Sequence, residues 1–503
     1  MDRRQFLTYA GATAAVVGAS ALGLDYLQPS LPTQIQKTTT IIPGQTQETT
    51  TVPKPPVIVN LQWQPTRVVN DKVYEANVSF DVESSQPIIS ANATLRPFAP
   101  TIPARAYPPE DPVSLTLNHL PQPSGVTTYS ATVANLKGGK RYALDAQAAN
   151  TAGTQTANFE TPYIREFENT AGRDDKLVGA IYLSWWENPC QAGWFCHWDE
   201  VRANYANGAT PLGTPLLGLY DSTEPLVVAK HIDWATSHGI DLFFLEFFGT
   251  DSAPKRFAPL LTHPMVNQVR FAVNYYTAKL TGFSAARLAE IDFNDPAIYS
   301  QLESDLDYVA ENYFSHPSYL RFDGRPVFQL YFTFQLKGDI SPSINKLRSH
   351  MKELGYDIYL IGDQVSYGDE IDLGRLRLFD AVSSCSDPLP PIRRDHHFPI
   401  SVAYDEYSRW QDATRLAGIE LVPFAYPGYD DSYLTDRPQG YGLVPKNADF
   451  LESTVKASTH FLDRHRLMGI DTFNDWGEGT YIEPSVEDGF TYLQTLRDTL
   501  AGQ

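Results

Sequence analysis

Residues 241–248 read DLFFLEFF and residues 270–276 read RFAVNYY. Neither stretch alternates strictly between apolar and polar. Each is a nearly continuous apolar run of strand length, which is how a strand buried on both faces of a parallel sheet reads. Working outward, six more runs follow the same rule, so that the expected strands are Val178–Trp186, Asp241–Phe248, Arg270–Tyr276, Pro326–Phe332, Ile358–Asp363, Asp380–Cys385, Glu420–Tyr426 and Ile470–Asn474. Helical stretches separate them. One places Leu302, Leu306, Val309, Ala310 and Tyr313 on a single stripe. Alternating strands and helices give a parallel α/β fold. Eight strands in about 325 residues fit a (β/α)8 TIM barrel with inserted loops. A doubly wound open sheet is the alternative, and no glycine-rich phosphate loop supports it.

Upstream of the barrel the pattern changes to short alternating strands. Over 57–162, Tyr74, Ala76, Val78, Phe80 and Val82 alternate with polar or small residues. Leu136-Lys137-Gly138-Gly139-Lys140-Arg141-Tyr142, then Asn150-Thr151-Ala152-Gly153, resembles the corner-tyrosine region of a fibronectin type III domain. A small all-β sandwich of the immunoglobulin/fibronectin III kind is therefore expected, acting as a spacer or support. Two sequons, at Asn77 and Asn92, fall inside it. Residues 29–56 are rich in Thr, Pro and Gln and read as an extended tether. Residues 1–28 carry Arg3-Arg4-Gln5-Phe6-Leu7 ahead of an uncharged stretch to Leu24, which resembles a twin-arginine export signal. An uncleaved anchor is the other reading of that stretch, so membrane attachment through the N-terminal segment stays open. The divisions are thus 1–28, 29–56, 57–162 and a catalytic barrel over 163–503.

Acidic residues outnumber basic ones 59 to 39, for a formal charge of −20. That balance argues against a nucleic-acid partner. The three cysteines are Cys190, Cys196 and Cys385. They make no disulfide scaffold, although the first two are close enough to bridge. No Cys/His cluster has zinc spacing, and His396-His397 reads as a solvated loop pair. Neither a metal nor an organic cofactor is implied.

In a barrel the site lies at the C-terminal ends of the strands. The polar residues there are Glu246, Asn274, Tyr275, Tyr331, Asp363, Tyr426, Tyr429, Asp475 and Glu478. The strongest segment is 472–484, TFNDWGEGTYIEP. Asp475 and Glu478 would face opposite ways on a regular strand, but Gly477 and Gly479 let the chain turn so that both carboxyls meet one cavity. A carboxyl pair suits glycoside hydrolysis, where one member must hold a proton and the other must be ionised. Glu483 reads as the structural acid of the segment. Trp185, Trp186, Trp194 and Trp198 lie within 14 residues after the first strand, with Glu187 and His197 among them. Aromatic faces pack on pyranose rings, so Trp185, Trp186, Trp198 and His197, with Tyr220 and Trp476, join the substrate-binding candidates. The implied partner is a polysaccharide or glycan.

From about residue 178 to the end the chain resembles glycoside hydrolase family 99, the endo-α-mannosidases and endo-α-mannanases. The resemblance rests on GLYDSTEPLVVAKHIDWATSHGIDLFF (218–244), YLRFDGRPVFQLY (319–331), VPFAYPGYDD (422–431) and the 472–484 segment. It implies an endo-acting, retaining enzyme on an α-mannan-like polymer. Glu478 would be the general acid and later base. Asp475 stands where that family has a glutamate that deprotonates the substrate's 2-hydroxyl, and it is one methylene shorter. Asn-Asp-Trp-Gly-Glu also resembles family 71, the inverting α-1,3-glucanases. A non-catalytic glycan-binding protein on the same fold is the third reading.

Overall fold

The structure, a computed structural model, describes residues 36–42, 45–98, 102–121, 125–188, 197–281, 291–365, 370–385, 400–434 and 443–502. The export-signal reading of 1–28, the Cys190–Cys196 pair, Trp194 and His396-His397 lie outside the described residues. No helix among the described residues is long and apolar enough to cross a membrane.

The barrel strands are β1 (Leu177–Tyr182), β2 (Leu242–Phe247), β3 (Arg270–Tyr276), β4 (Arg325–Tyr331), β5 (Tyr359–Asp363), β6 (Ala381–Ser383), β7 (Glu420–Val422), β8 (Phe424–Ala425) and β9 (Leu467–Ile470). All pair in parallel, in the order β7-β6-β5-β4-β3-β2-β1-β9-β8. β7 and β8 are two halves of one stave. Pro423 separates them because proline has no N–H to give the ladder, yet its carbonyl still accepts from Gly469 N–H at 2.9 Å. The Phe424 N–H, displaced from the ladder, is taken by Ser384 Oγ at 3.0 Å. The ring of eight staves thereby closes, as the sequence predicts. The last stave is shifted: it is Leu467–Ile470, and the chain has already left the ladder over most of the expected Ile470–Asn474.

Small and large residues alternate inside the ring. A Cβ at Gly179 would lie 2.5 Å from the Phe244 ring, and one at Gly469 would run into the Phe424 ring. Those four positions face inward, and the two-residue period then carries Glu246 and Asp471 inward one step higher. Outside the ring lie α1 (Pro225–Thr236), α2 (Ala253–Leu261), α3 (Pro296–Asn312), α4 (Ser341–Glu353), α5 (Leu373–Leu376), α6 (Ile400–Ala417), α7 (Ala448–His460) and α8 (Thr491–Ala501). On α3 the expected stripe is buried at Leu302, Leu306, Val309 and Ala310. Asp295 caps it, accepting from Ala297 N–H and Ile298 N–H.

Ahead of the barrel, two four-stranded antiparallel sheets share one core of Ala76, Val78, Phe80, Leu95, Leu144 and their neighbours. The Tyr142 hydroxyl reaches Lys137 O at 3.5 Å and Glu110 at 3.1 Å. The Thr-rich segment differs from the expected tether. Gln36–Ile42 pairs antiparallel with Gln45–Thr51, as β-branched threonines permit.

The connector 163–168 bolts this sheet pair to the barrel. Tyr163 donates to Asp233 on α1 at 3.0 Å, Arg165 pairs with Asp233 at 3.3 Å, and Lys230 and Trp234 both reach Glu166. On its other face, Lys72 donates to Glu166 O and Tyr74 to Glu168.

Candidate active site

The segment after β9 is held at both ends. Phe473 N–H donates to Ile181 O at 2.8 Å, which prolongs the β1–β9 contact. Thr472 N–H donates to Thr480 O, and Ile482 and Glu483 N–H return to Phe473 O, closing the loop on itself. Asn474 fastens the loop to the end of β1. Its amide accepts from Leu183 N–H at 2.8 Å, donates to Leu183 O at 2.9 Å and meets the Tyr220 hydroxyl at 3.2 Å.

Within this frame the Asp475 carboxyl draws the turn together. Oδ1 accepts from Gly477 N–H at 2.8 Å and Glu478 N–H at 3.0 Å. Gly479 follows at φ 66°, a left-handed conformation that favours glycine. The turn is pinned from the β8 side by Asp430 N–H, which donates to Glu478 O at 2.7 Å. Asp475 and Glu478 therefore share one turn above the barrel axis.

Beneath the turn lies a buried polar network. Glu483 Oε2 accepts from the Tyr220 hydroxyl at 2.7 Å and from Trp476 Nε1 at 2.9 Å, and Oε1 meets His231 Nε2 at 3.2 Å. His231 Nδ1 in turn meets the Tyr182 hydroxyl at 2.9 Å. Glu483 is the structural acid of the segment, as the sequence implied.

Facing the turn, Glu246 on β2 is buried, and burial holds its carboxyl well above the ordinary glutamate value, with Asp475 and Glu478 adding like charge. Asp471, the first residue after β9, is raised in the same way by burial and then by Glu478, Asp475, Glu246 and Asp363. The nearby cation is Arg256 on α2. Burial lowers its guanidinium to about 10, against the pull of Glu187, Glu246 and Glu200. Asp363 does double service, with Oδ2 accepting from Phe332 N–H at 3.0 Å and holding that residue at φ 57°.

Half-buried rings run round the mouth from β1 to β4. Trp185 stacks on His197 at 4.0 Å and touches Phe248 at 5.0 Å; Phe248 meets Tyr276 at 5.0 Å, and Tyr276 meets Tyr331 at 5.7 Å. Tyr331 stacks on Phe332 at 3.9 Å. The Tyr331 hydroxyl is raised by burial and then by the charges of Cys385, Asp471, Asp363 and Glu478. Burial also lowers His197, whose Nδ1 meets Glu200 at 2.6 Å.

The sequence candidates divide cleanly. Glu246, Asp475, Glu478 and Tyr331 come together at the mouth, with Trp185 and His197 on its aromatic rim, while Asp363 is fully buried at the end of β5. Asn274 is fully buried beside Glu246 in the ladder, and neither of its amide atoms has a hydrogen-bond partner. Trp186, Trp198, Tyr220, Trp476 and Tyr426, expected to touch substrate, are instead in the core. Trp186 packs on Trp198 at 4.2 Å and donates to Asn474 O; Trp198 donates to Tyr220 O. Trp476 stacks on Tyr481 at 3.7 Å, and the Tyr426 hydroxyl is bound to Ser384 O. Their polar ends are used to satisfy buried backbone or Glu483. Tyr429 is buried too, and the Tyr275 hydroxyl turns out to Asp305 at 2.7 Å. Glu187 pairs with Lys255 at 2.7 Å. Sequence reasoning missed Asp471, Arg256, Phe248, Tyr276 and Phe332. The shifted end of β9 was the available signal for Asp471, because a carboxylate just past a barrel strand belongs at the mouth.

An enzyme of the glycoside hydrolase class is what this fold and this acid-lined, aromatic-rimmed mouth define. The chain is similar to the glycoprotein endo-alpha-1,2-mannosidase of Mus musculus, 22% identical over 336 residues that cover 62% of this chain and 68% of the relative. It is also similar to the glycoprotein endo-alpha-1,2-mannosidase-like protein of Homo sapiens, at 20% over 331 residues, covering 61% and 68%. The GH99 endo-alpha-mannosidase structure from Bacteroides thetaiotaomicron superposes with a TM-score of 0.50 at 18% identity, covering 65% of this chain and 97% of that one, so the two share a fold. A family profile described as Glycosyltransferase WbsX matches residues 185–496, and the chain belongs to that family.

Proposed function

We propose that the protein is an exported, endo-acting glycoside hydrolase that cleaves an α-mannan-like polysaccharide with retention of configuration. The observation that carries this reading is the acid turn Asp475–Glu478 set against Glu246 beneath a belt of half-buried rings. Glu478 protonates the leaving oxygen as the glycosidic bond breaks. Asp475 takes the proton of the sugar's 2-hydroxyl, whose oxygen closes on the anomeric carbon. Water then opens the anhydro sugar, giving one proton to Glu478 and leaving the hydroxyl oxygen on the anomeric carbon. The 2-oxygen recovers its proton from Asp475, so both carboxyls return to their starting states. The relatives named endo-alpha-1,2-mannosidase support water as the acceptor and mannose as the sugar. The family's description names transfer, which uses the same first half with a sugar hydroxyl in place of water. Export follows from the paired arginines at Arg3-Arg4, and the sheet pair over 57–162 serves as a fibronectin III-like spacer.

A panel of α-mannans and α-1,3-glucan with product analysis tests the reading. Reducing ends should appear from α-mannan, with the α-anomer first by NMR, and Glu478→Gln should lower the rate by about 100-fold or more. An inverted product would shift the reading to the α-1,3-glucanase type. Full activity in Glu478→Gln would overturn the acid assignment.

A further inference from the structure

Asp471 belongs to the mouth but not to the acid turn. Its N–H donates to Ala425 O at 3.0 Å, which keeps the backbone in step with β8 and keeps the side chain on the inward face begun by Gly469. From there the carboxyl shares the inward face with Glu246 of β2 and Asp363 of β5, and burial, then the charges of these two and of the turn carboxyls, raise it. Among the described residues, none hydrogen-bonds it. Gathering carboxyls in a cavity costs free energy that the folded chain does not recover by itself.

A second observation points the same way. Asn274 and Gln329 neighbour one another across β3 and β4, both are 0% exposed, and both sit on the inner layer with Glu246. Both amide atoms of Asn274 and Oε1 of Gln329 lack a partner. A buried amide left unbonded is rare because it loses its water without replacement. An inward Asp471 carboxyl, opposite an amide that needs both donor and acceptor, matches a ligand dense in hydroxyl groups. The gathered carboxyls repel an anionic one.

We propose that Asp471 is the specificity-determining carboxyl of this site, hydrogen-bonding a vicinal pair of hydroxyls on an uncharged glycosyl unit, on the side of the mouth opposite the unsatisfied Asn274 amide. The inference rests on the glycosidase reading, and it adds a group outside the acid pair that chooses which sugar is held.

The test uses the full chain. Wild type, Asp471→Asn and Asp471→Ala are titrated calorimetrically with α-1,2-, α-1,3- and α-1,6-mannobiose, α-1,3-glucobiose, and an α-linked glucuronic acid disaccharide as the anionic control. At least one neutral disaccharide should bind the wild type and bind Asp471→Ala about 10- to 100-fold more weakly, the range for a buried hydrogen bond left unmade. The uronate should not bind. In the wild type a monodeoxy version lacking one hydroxyl of the pair should lose a similar factor, and that loss should vanish in Asp471→Ala. The inference is overturned if no neutral disaccharide binds the wild type at least tenfold tighter than Asp471→Ala, or if every deoxy loss persists in Asp471→Ala. Hydrolysis of α-mannan, followed in parallel, separates the two claims. Asp471-dependent binding without hydrolysis sinks the hydrolase reading alone, and hydrolysis with Asp471-independent binding sinks this inference alone.

Discussion

Single side chains hold the acid turn in place, and their substitution separates support from chemistry. Asn474 satisfies both polar groups of Leu183, so Asn474→Ala leaves a buried N–H and C=O unpaired. It should cost about 2–4 kcal/mol in urea unfolding and reduce activity through the displaced turn. Glu483→Ala strips acceptors from Tyr220 and Trp476 and should cost about 2–5 kcal/mol. Glu483→Gln keeps one acceptor and should cost less. Glu246→Gln behaves in the opposite sense. It removes a carboxyl that burial disfavours, so the melting temperature should rise by about 1–3 °C while hydrolysis falls. The pH dependence has a definite sign. Below the ordinary glutamate value of 4.5 Glu246 is protonated folded and unfolded alike. Above it the unfolded chain ionises first, so wild type should lose stability relative to Glu246→Gln as pH rises, until the folded carboxyl also ionises. A constant difference across that window would show that Glu246 is not held protonated.

At the level of elements, the strands were legible and the tryptophans were not. DLFFLEFF and RFAVNYY name buried strands because no exposed face interrupts them. The tryptophans after β1 carry no such mark. Trp185 and Trp186 are sequence neighbours with opposite fates, since the chain turns one ring to the rim and the other under Asn474. Asp471 escaped notice because the expected Ile470–Asn474 strand would have placed it inside a stave. Phe332 gave no signal at all: its left-handed backbone is imposed by Asp363 from the next strand. Phe332→Gly should relieve about 1–3 kcal/mol of backbone strain and forfeit a similar amount of burial. With the cavity counted, unfolding free energy should fall by about 1–3 kcal/mol, less than the roughly 3–5 kcal/mol usual for truncating a buried Phe, while KM rises because Tyr331 loses the ring it packs on. A KM equal to wild type would remove Phe332 from the binding rim.

Across the whole molecule, the sheet pair and barrel share the connector 163–168, so neither surface is finished without it. His238 belongs to this region, with its ring against Phe167 of the connector at 5.4 Å and buried in the barrel wall. Burial lowers its imidazole to about 4. A lowered histidine binds its proton in the unfolded chain first, so stability should fall as pH drops from about 6.5 towards 4, by about 2–3 kcal/mol. Unfolding midpoints over that range in wild type and His238→Gln check it. A slope unchanged by the substitution would assign acid sensitivity elsewhere.

The rim also gives the molecule an optical readout. Among the described barrel residues, Trp185 is the tryptophan that is not fully buried, and its indole lies flat on His197. The other described barrel indoles are shielded in the interior, where a ligand at the mouth leaves their surroundings unchanged. Among the described barrel tryptophans, Trp185 is therefore the emitter that should respond to occupancy of the mouth, and to acid through quenching by the imidazole beneath it. Trp185→Phe should weaken both signals, so sugars could be screened by intensity alone before any bond is cut.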